Sequence, residues 1–141
     1  MSARGALRIE RVLPASAEEV FAAWTTPDRM AGWMSPVGHA EAEVELRPGG
    51  AFRVTMVGDD LHLEHTGTYL EIDPPRRLVF TWTSPYTGPE PSLVTVELHP
   101  HDGGTRLVLV HESLPTGVVE SHRHGWGTML ERLAEALSPA A

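Results

Sequence analysis

At 141 residues and 41% hydrophobic content, the sequence has the size of one domain and the composition of a folded chain rather than a disordered or membrane-embedded one. All eleven basic residues are arginine, against nineteen acidic ones, and the resulting net charge of −8 argues against a nucleic-acid partner, which requires clustered cations. Cysteine is absent, which excludes disulfides and thiolate chemistry; no apolar run approaches the roughly 20 residues of a membrane-spanning helix, and residues 1–10 lack the apolar core of an export signal. A single domain over residues 1–141, in the cytoplasm and without a membrane partner, is therefore expected.

Leu7 to Leu13 alternates apolar and charged residues, as a half-buried strand does, and Pro14 ends it. Ser16 and Glu19 have the spacing of a capping box, in which hydroxyl and carboxylate satisfy free helix amides reciprocally. The helix they open carries Val20, Phe21 and Trp24 on one face. Thr26-Pro27-Asp28 starts a second short helix, with proline at its favoured first position, presenting Met30, Trp33 and Met34.

Six strands follow. Ala42, Val44 and Leu46 alternate up to the turn Pro48-Gly49-Gly50; Phe52, Val54 and Met56 alternate up to Gly58-Asp59-Asp60. Leu61 to Ile72 makes a long strand in which Gly67 marks a bend or bulge. Asp73-Pro74-Pro75 turns the chain into a strand with Leu78, Phe80 and Trp82 on one face. After a loop over residues 84–91, Val94, Val96 and Leu98 define the sixth strand, and Thr105, Leu107, Leu109 and His111 the seventh. From about Val118 the period changes from two to 3.6, and Val119, His122, Trp126, Leu130, Leu133 and Leu137 recur on one helical face. Gly125 and Gly127 flank Trp126, each costing roughly 1 kcal/mol relative to alanine; their presence suits close approach by another backbone or a ligand. Hairpin connections imply an antiparallel sheet, and its apolar face must be covered by the long helix.

The ordered set of Thr26-Pro27-Asp28 through Trp33, Glu45-Leu46-Arg47-Pro48-Gly49-Gly50, Gly67-Thr68-Tyr69, Asp73-Pro74-Pro75-Arg76-Arg77-Leu78, Gly104-Thr105-Arg106-Leu107, His111-Glu112 and Gly125-Trp126 resembles the activator of heat shock protein 90 ATPase homologue-like family. The resemblance runs from about residue 7 to 137. That family lies within the helix-grip superfamily of START lipid-transfer domains, polyketide cyclases and the birch-pollen allergen. The resemblance implies an α+β helix-grip fold: a curved seven-stranded antiparallel sheet around a long C-terminal helix, two short helices after the first strand, and a cavity between sheet and helix. Fold alone leaves function open.

No phosphate loop or nucleophile elbow is present. The eight histidines offer no metal pair: His62 and His65 fall on opposite strand faces, His99 and His101 flank a hairpin tip, and His122 and His124 point about 200° apart on a helix. No metal or cofactor is expected. His111 should point from the sheet towards the helix and His122 from the helix towards the sheet. Both are candidates for acid–base work in a cavity, or for hydrogen bonds that only hold the structure; His65 is a further candidate. Trp33, Phe52, Trp82 and Trp126 are expected cavity walls, or core, with Tyr69 either a source of a hydroxyl or a residue of the sheet rim, and Val94, Leu109 and Leu130 as inward apolar positions. Three functions compete. The first is binding of a small, largely hydrophobic or aromatic ligand. The second is a cyclase or dehydratase reaction on a polyketide-like substrate through His111 or His122, and the third, from the family name alone, is regulation of the heat shock protein 90 ATPase. A monomer or a homodimer fits the exposed strand edges.

Overall fold

Alternating strands from residue 4 onward join into one antiparallel sheet of seven strands in a computed structural model, which describes residues 4–138. Strand β1 (Arg4–Leu13) is followed by helices α1 (Ala17–Thr25) and α2 (Pro27–Met30), then by β2 (His39–Val44), β3 (Ala51–Gly58), β4 (Leu61–Asp73), β5 (Arg77–Trp82), β6 (Ser92–His101) and β7 (Gly104–Pro115). A 3₁₀ turn (Thr116–Val118) leads into the long helix α3 (Val119–Leu137). The spatial order β1-β7-β6-β5-β4-β3-β2 makes β2 to β7 a continuous meander and returns β1 beside β7. This is the helix-grip α+β fold.

One face of the sheet is apolar on nearly every strand. Leu7, Ile9 and Leu13 of β1, Phe52, Val54 and Met56 of β3, Leu78, Phe80 and Trp82 of β5, Val94, Val96 and Leu98 of β6, and Leu107 and Leu109 of β7 are all buried. Trp126, Met129, Leu130 and Leu133 of α3 close against them, each such side chain contributing about 1.5–3 kcal/mol on burial. The opposite face is charged. Arg53 bridges Glu43 and Glu64 across three strands, Arg77 pairs with Glu71 and Glu97, and Arg106 pairs with Glu10. Such exposed pairs add little stability but keep that face in water. Glu41, Glu43 and Glu45 are exposed, as their alternation implies.

Two local expectations need correction. Strand β2 spans His39–Val44 rather than Ala42–Leu46, and Leu46 is exposed in the turn that follows. Ala40, not Leu46, is the buried end of the alternation, because Ala40 N–H bonds to the Ala31 carbonyl and ties the strand to the helical segment before it. At α1, Ser16 Oγ accepts from the Glu19 amide at 3.2 Å, but the Glu19 carboxylate turns outward to Arg29 at 2.7 Å. The cap is therefore one-sided, since a charge-assisted bond outcompetes a second backbone contact.

Gly67 sits where β4 passes from pairing with β3 (through Thr68) to pairing with β5 (from Tyr69). There the Thr81 hydroxyl accepts the Thr68 amide at 2.9 Å in place of a ladder carbonyl. A Cβ on Gly67 would lie 2.0 Å from the Thr81 carbonyl oxygen and 2.4 Å from the Phe52 ring. The bend thus has room for no side chain, and Phe52 covers the position from above. Gly67→Ala is expected to lower unfolding free energy by about 2 kcal/mol or more. Urea denaturation measures it; an unchanged midpoint would mean that the sheet yields at this point.

Candidate functional site

The deep part of the grip is filled with aromatic rings. Trp24 of α1 packs edge-on against Trp33 at 4.7 Å between centroids and stacks on Trp126 at 5.7 Å; Phe52 meets Tyr69 at 5.2 Å and Phe80 at 5.4 Å. Trp33 is fixed further by its indole N–H, which donates to the Ala23 carbonyl at 3.0 Å. Only a void of about 10 Å³ persists there, bordered by Trp24, Phe52, Tyr69, Phe80 and Trp82 among others. That is room for about one water. Burial pushes the Tyr69 hydroxyl up to about 12, so it stays protonated.

Towards the other end of the helix the packing opens into a cleft of about 260 Å³. The sheet supplies Met56, Leu63, His65 and Trp82, and α3 supplies Ser121, His122, Gly125, Trp126 and Met129. Pro36 and Tyr86 form the rim from two loops. Arg132 steadies the first of these, donating to the carbonyls of Ser35 at 2.5 Å and Gly38 at 2.8 Å. Among the described residues, no Asp, Glu, Lys or Arg side chain borders the cleft. A larger open groove, about 750 Å³, lies at the far end of β5, between the Asp73–Arg77 turn and the His99–Gly104 hairpin. Its walls are turns bearing charged side chains, whereas the smaller cleft has the aromatic walls and few polar groups of a small-molecule site.

A buried chain of hydrogen bonds lies behind the cleft. The Trp126 indole N–H donates to His111 Nδ1 at 3.0 Å, His111 Nε2 lies 2.7 Å from Ser92 Oγ, and the Ser92 hydroxyl donates to the Trp82 carbonyl at 2.6 Å. An indole nitrogen only donates and a carbonyl only accepts, so every proton in the chain is assigned. His111 Nδ1 carries a lone pair, and Nε2–H donates to the serine. His111 is fully buried, does not border the cleft, and has both nitrogens engaged. Burial, with the neighbouring His122 and His65, holds it down to about 3, so the ring is neutral.

His65 and His122 do border the cleft. His65 lies against Trp82 with ring centroids 4.6 Å apart, is 4% exposed, and its Nδ1 has no hydrogen-bond partner. Burial, and secondarily His122, lowers it to about 4. His122 sits in the first turn of α3, its Nδ1 2.8 Å from the Val118 carbonyl and its ring edge-on to His111 at 5.3 Å.

Of the residues singled out from sequence, His65, Trp82, His122 and Trp126 therefore meet in one cleft. Trp33, Phe52, Tyr69, Val94, Leu109 and Leu130 lie in the packed core away from it, and His111 stands behind Trp126. Ser92, Met56, Leu63 and Met129 were not singled out as site residues. Periodicity nonetheless places them: Ser92 shares a face with Val94, Leu63 with His65 and Met56 with Val54, while Met129 is three residues from Trp126. Gly125 and Gly127 admit no backbone. A Cβ on Gly125 would meet nothing within 4 Å because it opens onto the cleft, and one on Gly127 would meet only Arg11 Nη2, at 3.6 Å.

The family model for the Activator of Hsp90 ATPase homolog 1-like protein matches residues 14–138, a span that includes every residue of the cleft. The chain belongs to this family. Among solved structures of similar proteins, CV1439 from Chromobacterium violaceum is 28% identical, with TM-score 0.82 over 96% of this chain and 98% of that one. CalU16 from Micromonospora echinospora is also 28% identical, with TM-score 0.75 over 99% and 86%. NE0264 from Nitrosomonas europaea is 26% identical, with TM-score 0.79 over 94% and 93%. No curated protein matches the sequence. Among the described residues, no helix is long and apolar enough to cross a membrane.

The two depressed histidines make stability depend on pH in a defined direction. Each binds its proton more weakly in the folded chain than at the ordinary value of 6.5, so below that value unfolding takes up protons and stability falls with pH. The loss begins near pH 6.5 and continues past pH 4, where His65 itself titrates in the fold. Urea midpoints measured between pH 7 and 4 should decline, and His65→Phe should flatten the decline by about one proton. A variant with the wild-type slope would show that His65 is not held neutral by burial.

Proposed function

We propose that the chain holds a small, largely apolar, aromatic molecule in the cleft between β3–β5 and α3. The observation that carries this reading is the wall itself. Trp82 and Trp126 provide flat aromatic surface, Met56, Leu63 and Met129 provide adaptable apolar surface, and two imidazoles supply the polar contacts. At about 260 Å³ the cleft lies just below the roughly 300–1,000 Å³ usual for ligand pockets, so a body of one or two rings suits it. The family's helix-grip architecture agrees with a ligand held between sheet and helix.

An enzymatic role in cyclisation or dehydration rests on His122, the cleft histidine whose ring is only half-buried. His111 contributes nothing to such a mechanism, because a proton added to Nδ1 would break the Trp126 bond. Binding is favoured because the second cleft imidazole, His65, is held neutral by burial, and His111 has both nitrogens engaged, which leaves no acid and base paired across the cleft.

Quenching of tryptophan fluorescence by naphthalene-ring probes tests the site, since Trp82 and Trp126 border it. Gly125→Leu should keep the fold, because the position is open and glycine costs about 1 kcal/mol in a helix, yet weaken probe binding tenfold or more. Gly127→Ala should raise stability by about 0.5–1 kcal/mol and leave binding unchanged. Undiminished binding by Gly125→Leu would place the ligand elsewhere.

A further inference from the structure

The fold dictates the hydrogen-bonding character of His122, the half-buried histidine of the cleft. Its Nδ1 lies 2.8 Å from the Val118 carbonyl oxygen, a group that can only accept. The facing nitrogen must therefore carry the ring proton. In a neutral imidazole the other nitrogen is then a bare lone pair, on the side of the ring away from the helix backbone. The edge-on contact with His111 at 5.3 Å holds the ring in place, and His111 offers it no proton, because both its nitrogens are engaged with Trp126 and Ser92. Ser121, beside it, uses its single hydroxyl proton on the same Val118 carbonyl at 3.0 Å. No protein group bonds His122 Nε2 among the described residues.

We infer that His122 is the specificity residue of the cleft, and that it selects a ligand carrying a hydroxyl or N–H donor on a one- or two-ring apolar body. The inference rests on the reading of the cleft as a ligand site and adds the polarity of the ligand's one necessary polar group. With no Asp, Glu, Lys or Arg side chain on the wall among the described residues, an anionic group of the same size meets no protein cation there, and burying it unpaired is costly. An ether or a plain hydrocarbon leaves the His122 lone pair without a donor once water is expelled, which also carries a cost.

Three probes of one shape separate these cases: 2-naphthol, which donates; 2-methoxynaphthalene, which does not; and 2-naphthoate, which is charged. Binding to the full chain is followed by tryptophan fluorescence at pH 8, above the range in which histidines ordinarily titrate. Naphthol should bind about tenfold tighter than the ether, with naphthoate weakest. His122→Phe should bring naphthol and the ether to within about twofold of each other while both still bind. Equal affinity of naphthol and ether for the wild type, or tightest binding of naphthoate, overturns the inference and leaves the apolar cleft standing. Binding of none of the three overturns the cleft reading and the inference together. Long-range ¹H–¹⁵N spectra of the wild-type histidines at pH 8 give a check independent of any variant. His122 should show its proton on Nδ1 and a bare Nε2 that shifts on adding naphthol; the opposite tautomer overturns the inference.

Discussion

The hydrogen-bond chain from Trp126 through His111 and Ser92 to the Trp82 carbonyl fixes the helix to the sheet in one register. Apolar packing alone would press α3 against the strands, but Leu130 and Leu133 tolerate sliding because dispersion contacts are not directional. The chain does not tolerate it. Displacing α3 along its axis by one residue, about 1.5 Å, would break the 3.0 Å Trp126–His111 bond and leave buried donors and acceptors unpaired, at a cost of roughly 1–3 kcal/mol each. Because the Trp82 carbonyl is its last acceptor, the same chain also holds the end of β5 at which the Trp82 ring forms the cleft wall.

From that anchor the division of the interior follows. On the side of α1, Trp24 and Trp33 are large enough to fill the space between helix and sheet, and only a water-sized void remains. On the other side the helix offers Gly125 and His122 where leucines would otherwise stand, and the sheet offers His65 where its neighbours are apolar. Small and polar side chains at facing positions leave space unfilled, and that space is the cleft. Its floor is Trp82 and Trp126, which the buried hydrogen-bond chain and the aromatic packing hold in place.

Most of the architecture was legible in the sequence because it rests on short-range rules. Alternation between apolar and charged residues set the strands, glycine- and proline-rich turns separated them, and the change of period near Val118 announced the helix. The misplaced end of β2 shows the limit: Leu46 continues the alternation, but a backbone bond from Ala40 to Ala31, invisible to periodicity, shifts the strand towards its start. The site was legible only in part for the same reason. Periodicity tells which face a side chain takes, and so it placed Trp82, His122 and Trp126 inward, while it put His65 only on the face opposite His62. It does not tell how far along the strand the helix leaves the sheet. Phe52, Tyr69, Val94 and Leu109 share that inward face but lie where α1 and α3 close over it, so they are core.

The three inward histidines illustrate how one residue type divides into different roles when packing, not sequence, sets the surroundings. Burial, with His122 close by, disfavours protonation of His65 and His111, and these two are neutral throughout the physiological range. A neutral imidazole has one donor and one acceptor, so each ring's function is decided by which nitrogen the protein uses. His111 has both nitrogens used by Trp126 and Ser92, and it is a strut. His65 keeps its Nδ1 buried without a partner, and its contact with Trp82 is chiefly that of a flat ring. His122 borders the cleft, with one nitrogen used by the Val118 carbonyl and the other without a protein partner among the described residues. A leucine at this position could not make the bond to the Val118 carbonyl, so the ring that holds the helix start is also the cleft residue best placed to meet the proposed ligand donor with its second, unused nitrogen.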